Sequence, residues 1–79
     1  MKVTVKYFAA LKDERGTGEE TLDNSPATPA LLYSQLKELH DFSFCTSKLK
    51  VAVNDEFSDW DSSLKDGDTV VFIPPVAGG

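Results

Sequence analysis

The stretch TVVFIPPVAGG, residues 69–79, decides the fold. Its first five residues are nearly all apolar, the pattern of a strand covered on both faces and therefore placed inside a sheet. Pro74 and Pro75 carry no amide hydrogen for a ladder, so the sheet must stop at Ile73. Beyond them Val76, Ala77, Gly78 and Gly79 shrink steadily in side-chain size. Residues 1–73 are thus expected to form one folded domain, and residues 74–79 an extended C-terminal tail ending in Gly-Gly.

An inner strand needs neighbours. KVTVKYF (2–8) alternates, with Val3, Val5 and Tyr7 facing one way and Thr4 and Lys6 the other, which predicts a half-buried strand. AALKDERGTG breaks it with a short helical turn and a Gly16–Gly18 loop, and EETLD (19–23) reads as the second arm of a hairpin. KLKVAVN (48–54) returns to period two, with Leu49, Val51 and Val53 on one face and a turn at Asn54–Asp55. EFSDWDSSL reads as irregular, anchored by Phe57 and Trp60, and KDGD as a turn centred on Asp66–Gly67.

NSPATPALLYSQLKELH holds the one convincing helix. Thr28 is its expected N-cap, and Pro29 suits the first helical position, where no amide donor is needed. Leu32, Leu36 and Leu39 recur at helical spacing as an apolar stripe, with Leu31 beside it. His40 falls at the C-terminal end. A hairpin, a helix and then further strands make an α+β domain: a mixed sheet with one main helix packed on one face. The two long apolar end strands should be neighbours in its centre. This pattern resembles the ubiquitin-like β-grasp.

Seventy-nine residues leave room for a single core. A chain of this size buries roughly 60–65% of its unfolded surface, so little is spare for a deep pocket. The single cysteine excludes an internal disulfide and points to an intracellular protein. MKVTVKYFAAL lacks the apolar core of a signal peptide, and no apolar run reaches membrane-span length. A soluble, cytoplasmic protein is expected. Thirteen acidic against eight basic residues give a net charge of −5, which argues against nucleic-acid binding because polyanions repel such a surface.

The usual chemistries find little support. One Cys and one His cannot build a tetrahedral zinc site. Asp59, Asp61 and Ser63 have calcium-loop spacing, but Leu64 stands where the loop needs glycine and Val70 where it needs a bidentate glutamate. No metal is expected. Cys45 follows Phe44 and reads as a small hydrophobe without a base beside it. His40 and Asp41 are adjacent, but no third group suggests a triad. The six acids between Asp55 and Asp68 read as a solvated surface, with docking to a basic partner as the alternative.

The tail is different. Two prolines stiffen its root in an extended form. Six extended residues reach about 20 Å, enough to enter a pocket on another protein. Terminal glycine lets a partner's backbone approach closely. These features make the terminal carboxylate of Gly79 the expected reacting group.

At this point LKDGDTVVFIPPVAGG, with VKYFAALKD near the start and VAVN before the last third, resembles the small subunit of molybdopterin synthase, the MoaD family. The resemblance runs from Lys2 to Gly79. It implies a sulfur carrier with no catalytic side chains and no bound cofactor of its own. A ubiquitin-activating-like adenylyltransferase would use ATP to adenylate Gly79, and a persulfide donor would convert the adenylate to a thiocarboxylate. The synthase large subunit would then take up the tail, which donates sulfur to cyclic pyranopterin monophosphate to form the molybdopterin dithiolene. The implied assembly is a heterotetramer. Partner contacts are expected from Ile73, Pro74, Pro75, Val76, Ala77 and Gly78, and from Lys12. Lys12 stands where the family often has Arg, and Ile73 where Phe is common. The rival readings are a thiamin-pathway sulfur carrier with the same terminal chemistry and a ubiquitin-like protein modifier.

Overall fold

The computed structural model describes residues 1–75. Within them the chain runs β1 (Val3–Tyr7), α1 (Ala9–Arg15), β2 (Glu19–Leu22), α2 (Pro29–His40), a 3-10 turn (Thr46–Lys48), β3 (Lys50–Val53), β4 (Glu56–Ser58) and β5 (Thr69–Ile73). The strands form one mixed sheet in the order β2-β1-β5-β3-β4. Only β1 and β5 pair in parallel, with Tyr7 opposite Phe72; the other pairs are antiparallel. This is the expected β-grasp. The last strand lies at its centre, with the first strand beside it.

Alternation explains which face is covered. Val3, Val5 and Tyr7 of β1, Val51 of β3, and Val70 and Phe72 of β5 are buried on the inner face. Pro29, Leu32, Tyr33 and Leu36 of α2 close over them. The helix begins as predicted: the Thr28 hydroxyl accepts from the Leu31 amide, and Pro29 takes the first turn. An aromatic cluster fills the space between helix and sheet, with Trp60 stacked on Phe72 at 5.9 Å and Tyr33 on Phe42 at 5.9 Å.

Four expectations need correction. Leu39 and Leu31 belong to no buried stripe: they are 65% and 57% exposed, because the face that meets the sheet runs through Tyr33 rather than through Leu39. The stretch after Asp55 is not irregular throughout. Asn54 and Asp55 both take left-handed backbone (φ 52° and 71°), which makes the tight turn of a β3–β4 hairpin. Phe57 is therefore no core anchor but lies 75% exposed on β4, while Trp60 does pack against the core. Residues Ala9–Arg15 form a full α1, longer than a turn, ended by Gly16 in the left-handed region.

Candidate functional site

The geometry of the site follows from strand register. In β5 Phe72 points inward, so Val71 and Ile73 face out. The pairs Val71–Ala52 and Ala52–Phe57 continue across β3 and β4 as one row on the outer face. Ile73 pairs with Lys50 at the sheet end where the chain leaves. Phe8 follows Tyr7 at that same end, because β1 and β5 run parallel. It is half exposed, and the left-handed Ala9 (φ 50°) directly after it starts α1.

An open apolar groove of about 220 Å³ results, lined by Phe8, Ala52, Phe57, Val71 and Ile73 with Asp55 at its rim. The Lys50 ammonium sits 5.7 Å from the centre of the Phe57 ring. Sequence reasoning singled out Ile73 but missed Phe8, Ala52, Val71 and Phe57 as its companions. Their signal was a strand with little polar alternation: beyond Thr69, TVVFI turns Val71 and Ile73 to its outer face, while α2 packs on the opposite one.

A second groove, of about 280 Å³, opens around the end of β5. Pro74 and Pro75 line it with Ile73, and Ser47, Lys48 and Lys50 face them. Pro74 is buried and Pro75 exposed. Ile73 borders both grooves and joins them. The structure thus brings Ile73, Pro74 and Pro75 together. Lys12 goes elsewhere: it lies exposed on α1 with its stem along Gly18, where an added Cβ would meet Lys12 Cε at 3.5 Å. The remaining expected site residues, Val76, Ala77, Gly78 and Gly79, lie outside the described residues.

Other candidate chemistry resolves into structural roles. Cys45 is exposed, contrary to the expected apolar setting, because the 3-10 turn that follows it sits on the surface. Its Sγ lies 3.0 Å from Ser47 Oγ, and that hydrogen bond holds the thiol below its usual pKa. His40 sits at the helix end as expected, with Nε2 3.1 Å from Glu20 Oε1. Glu20 also accepts from the Tyr7 hydroxyl and, at 2.8 Å, from Arg15. Burial pushes this carboxyl up, but the hydrogen bonds from Arg15 and Tyr7 prevail and leave it below the ordinary carboxylate range. Burial, reinforced by Glu20, pushes the Tyr7 hydroxyl well above its ordinary value.

The acidic stretch also divides. Asp66 accepts from the Lys2 amide at 2.7 Å, and Asp68 binds the Asn54 side chain and the Lys65 amide. Both therefore fasten turns where β5 begins, at the end of the sheet opposite Pro75. Among the described residues no three His, Cys, Asp or Glu side chains gather in a way that could hold a metal ion. Among them, too, no helix is long and apolar enough to cross a membrane.

Comparison with known proteins agrees with this geometry. The ThiS family profile matches residues 5–79. A molybdopterin synthase sulfur carrier subunit from Escherichia coli is 32% identical, over 98% of this chain and 99% of its own. A solved structure described as molybdopterin converting factor subunit 1, from Pyrococcus furiosus, has a TM-score of 0.79 and 32% identity, covering 96% of this chain and 99% of that one. A complex of subunits 1 and 2 of the molybdopterin-converting factor from Helicobacter pylori contains a chain that is 26% identical, with a TM-score of 0.71 and full coverage of both.

Proposed function

The chain belongs to the ThiS family, and on that premise we propose that it is the sulfur-carrier subunit of a molybdopterin synthase, acting through the carboxylate of Gly79. The observation that carries the reading is the position of the exposed apolar groove. It converges through Ile73 on the root of the tail, so a partner that covers Phe8, Phe57 and Val71 also meets Pro74 and Pro75. Apolar patches of this kind on a small acidic domain mark protein–protein contact. The related chain in the Helicobacter pylori complex is itself paired with a second subunit.

The chemistry answers the weakness of a carboxylate as an electrophile. In a ubiquitin-activating-like partner, a Gly79 oxygen attacks the α-phosphorus of ATP, giving the acyl-adenylate and releasing pyrophosphate. The terminal sulfur of a persulfide then attacks the acyl carbon, and AMP leaves. A thiol cleaves the resulting S–S bond and frees the thiocarboxylate. Inserted into the large subunit, this thiocarboxylate bonds through sulfur to a carbon of cyclic pyranopterin monophosphate. Water then cleaves the acyl–sulfur bond, leaving the sulfur on the pterin and returning Gly79 as a carboxylate. Two such transfers make the dithiolene. On this reading the chain is a cytoplasmic protein that holds no cofactor of its own. ATP is bound by the activating partner, and the catalytic side chains belong to the large subunit of a heterotetramer.

The test is intact mass after incubation with the cognate activating enzyme, ATP and a persulfide source. A gain equal to exchanging one oxygen for sulfur, followed by dithiolene formation with the large subunit, is expected. A loaded protein that feeds thiazole synthesis instead would move it to the thiamin pathway. Adducts to lysines that survive reduction would make it a protein modifier.

A further inference from the structure

Resting on that reading, we infer that the groove at the tail root, between Lys48, Lys50 and the Pro74–Pro75 pair, receives a carboxylate-bearing segment of the synthase large subunit at the mouth of the channel that takes up the tail.

The argument starts from charge. The chain carries a net charge of −5, yet among the described residues the charged side chains of this groove are both lysines and none is acidic. Among the described residues the ion pairs are those of Glu20 with Arg15 and His40, and no described acid engages either lysine. Both are exposed. The opposite wall is proline, which offers carbonyl acceptors and apolar surface but no amide donor. Donors therefore come from the Lys48 and Lys50 ammonium groups, a set that suits a carboxylate.

Position decides between docking and chemistry. Four residues separate Pro75 from the chain's last atom, and a chain of that length spans up to about 14 Å. Lysines flanking Pro75 are therefore out of reach of the adenylate or thiocarboxylate when the tail extends into a partner. They act where the tail enters. The groove is also continuous, through Ile73, with the apolar groove on the outer face, so a partner seated there meets both.

Binding of the purified chain to its cognate large subunit, followed at low salt, tests the assignment. Lys48→Glu alone and Lys48→Glu with Lys50→Glu are compared with the control pair Lys2→Glu with Lys65→Glu. The control makes the same change in charge at the opposite end of the sheet, where the Gly67 amide bonds to the Lys2 carbonyl. The single Lys48 variant is needed because Lys50 also leans over Phe57. Melting should stay native in all, since each of these lysines is exposed. The double variant at the groove should weaken binding about tenfold, mostly through slower association. Lys48→Glu should show part of that loss and the control almost none. The difference should fade near 1 M salt, where the screening length is about 3 Å. Equal losses at both ends, or undiminished binding by the groove variants, would overturn the inference while leaving the carrier function intact. Loss of self-association in the groove variants, with large-subunit binding unchanged, would also overturn it and make the occupant a second copy. Absence of binding by the wild-type chain would instead remove the functional reading on which it rests.

Discussion

Phe72 and Ile73 are neighbours on β5 with opposite fates: Phe72 is fully buried against Tyr33 and Trp60, while Ile73 lies on the outer face between the two grooves. Truncating a buried Phe to Ala costs about 3–5 kcal/mol. For a domain of this size each kcal/mol lowers Tm by roughly 4–8 °C. Phe72→Ala should therefore melt far below the wild type, as followed by circular dichroism. Ile73→Ala should cost little stability and weaken large-subunit binding. The reverse ranking would mean that the outer face is not the docking face.

A second prediction concerns acid. The Glu20 carboxyl is depressed below its ordinary pKa of 4.5 by Arg15 and Tyr7, against the opposing effect of burial. A group with a lowered folded pKa contributes stability above its unfolded pKa and loses it as pH falls through the folded one. Wild-type stability should thus decline as pH drops below about 4.5. Glu20→Gln should be less stable at neutral pH, and its stability should fall less steeply in that window. Chemical denaturation at a series of pH values measures the two slopes. Parallel curves would show that the Tyr7–Arg15–Glu20 contacts contribute nothing net.

This knot also marks where sequence reading stopped. Period-two alternation in KVTVKYF and the unbroken apolar run of TVVFI were enough to place β1 beside a central β5, because a strand's faces are set by its own residues. The Thr28–Pro29 start of α2 was equally local. Nothing in the spacing of Tyr7, Arg15, Glu20 and His40 says that they meet, since the contact depends on how α1, β2 and the end of α2 pack. Leu39 failed for a related reason. Helical periodicity fixes an angle around the axis, but the sheet below covers only the arc through Leu32, Tyr33 and Leu36. Phe57 does not follow the rule that a large aromatic residue in a loop is usually core, because the Asn54–Asp55 turn makes it part of β4, paired with Ala52 on the outer face.

Cys45 offers a third test. Its thiol is exposed and its pKa is lowered chiefly by the Ser47 hydroxyl, so native protein should react readily with a small alkylating reagent. Cys45→Ser should melt with the wild type, since no buried contact is lost. It should also accept sulfur at the normal rate, because the carrier atom is proposed to be on Gly79. A folded Cys45→Ser that takes up no sulfur would move the carrier to this thiol.

The decisive prediction lies at the end of the chain. Deleting Gly79, or adding one residue after it, alters none of the described residues of the core or of either groove, so melting and association with the large subunit should stay near wild type. Sulfur loading and transfer should disappear for a geometric reason. One residue displaces the reacting carboxyl by about 3.5 Å, and a misplacement of about 1 Å can already cost a hundredfold in rate. Gly78→Val keeps the length but adds a β-branched side chain next to the reacting residue, where a partner's channel must fit closely around the backbone. It should bind through Ile73 and the outer face yet load or deliver sulfur far more slowly, as read by intact mass and by dithiolene formation. The two readouts separate the causes: loss of loading places the block in the activating enzyme, and normal loading without transfer places it in the large subunit. Normal dithiolene synthesis by all three variants would remove Gly79 from the chemistry and the carrier function with it.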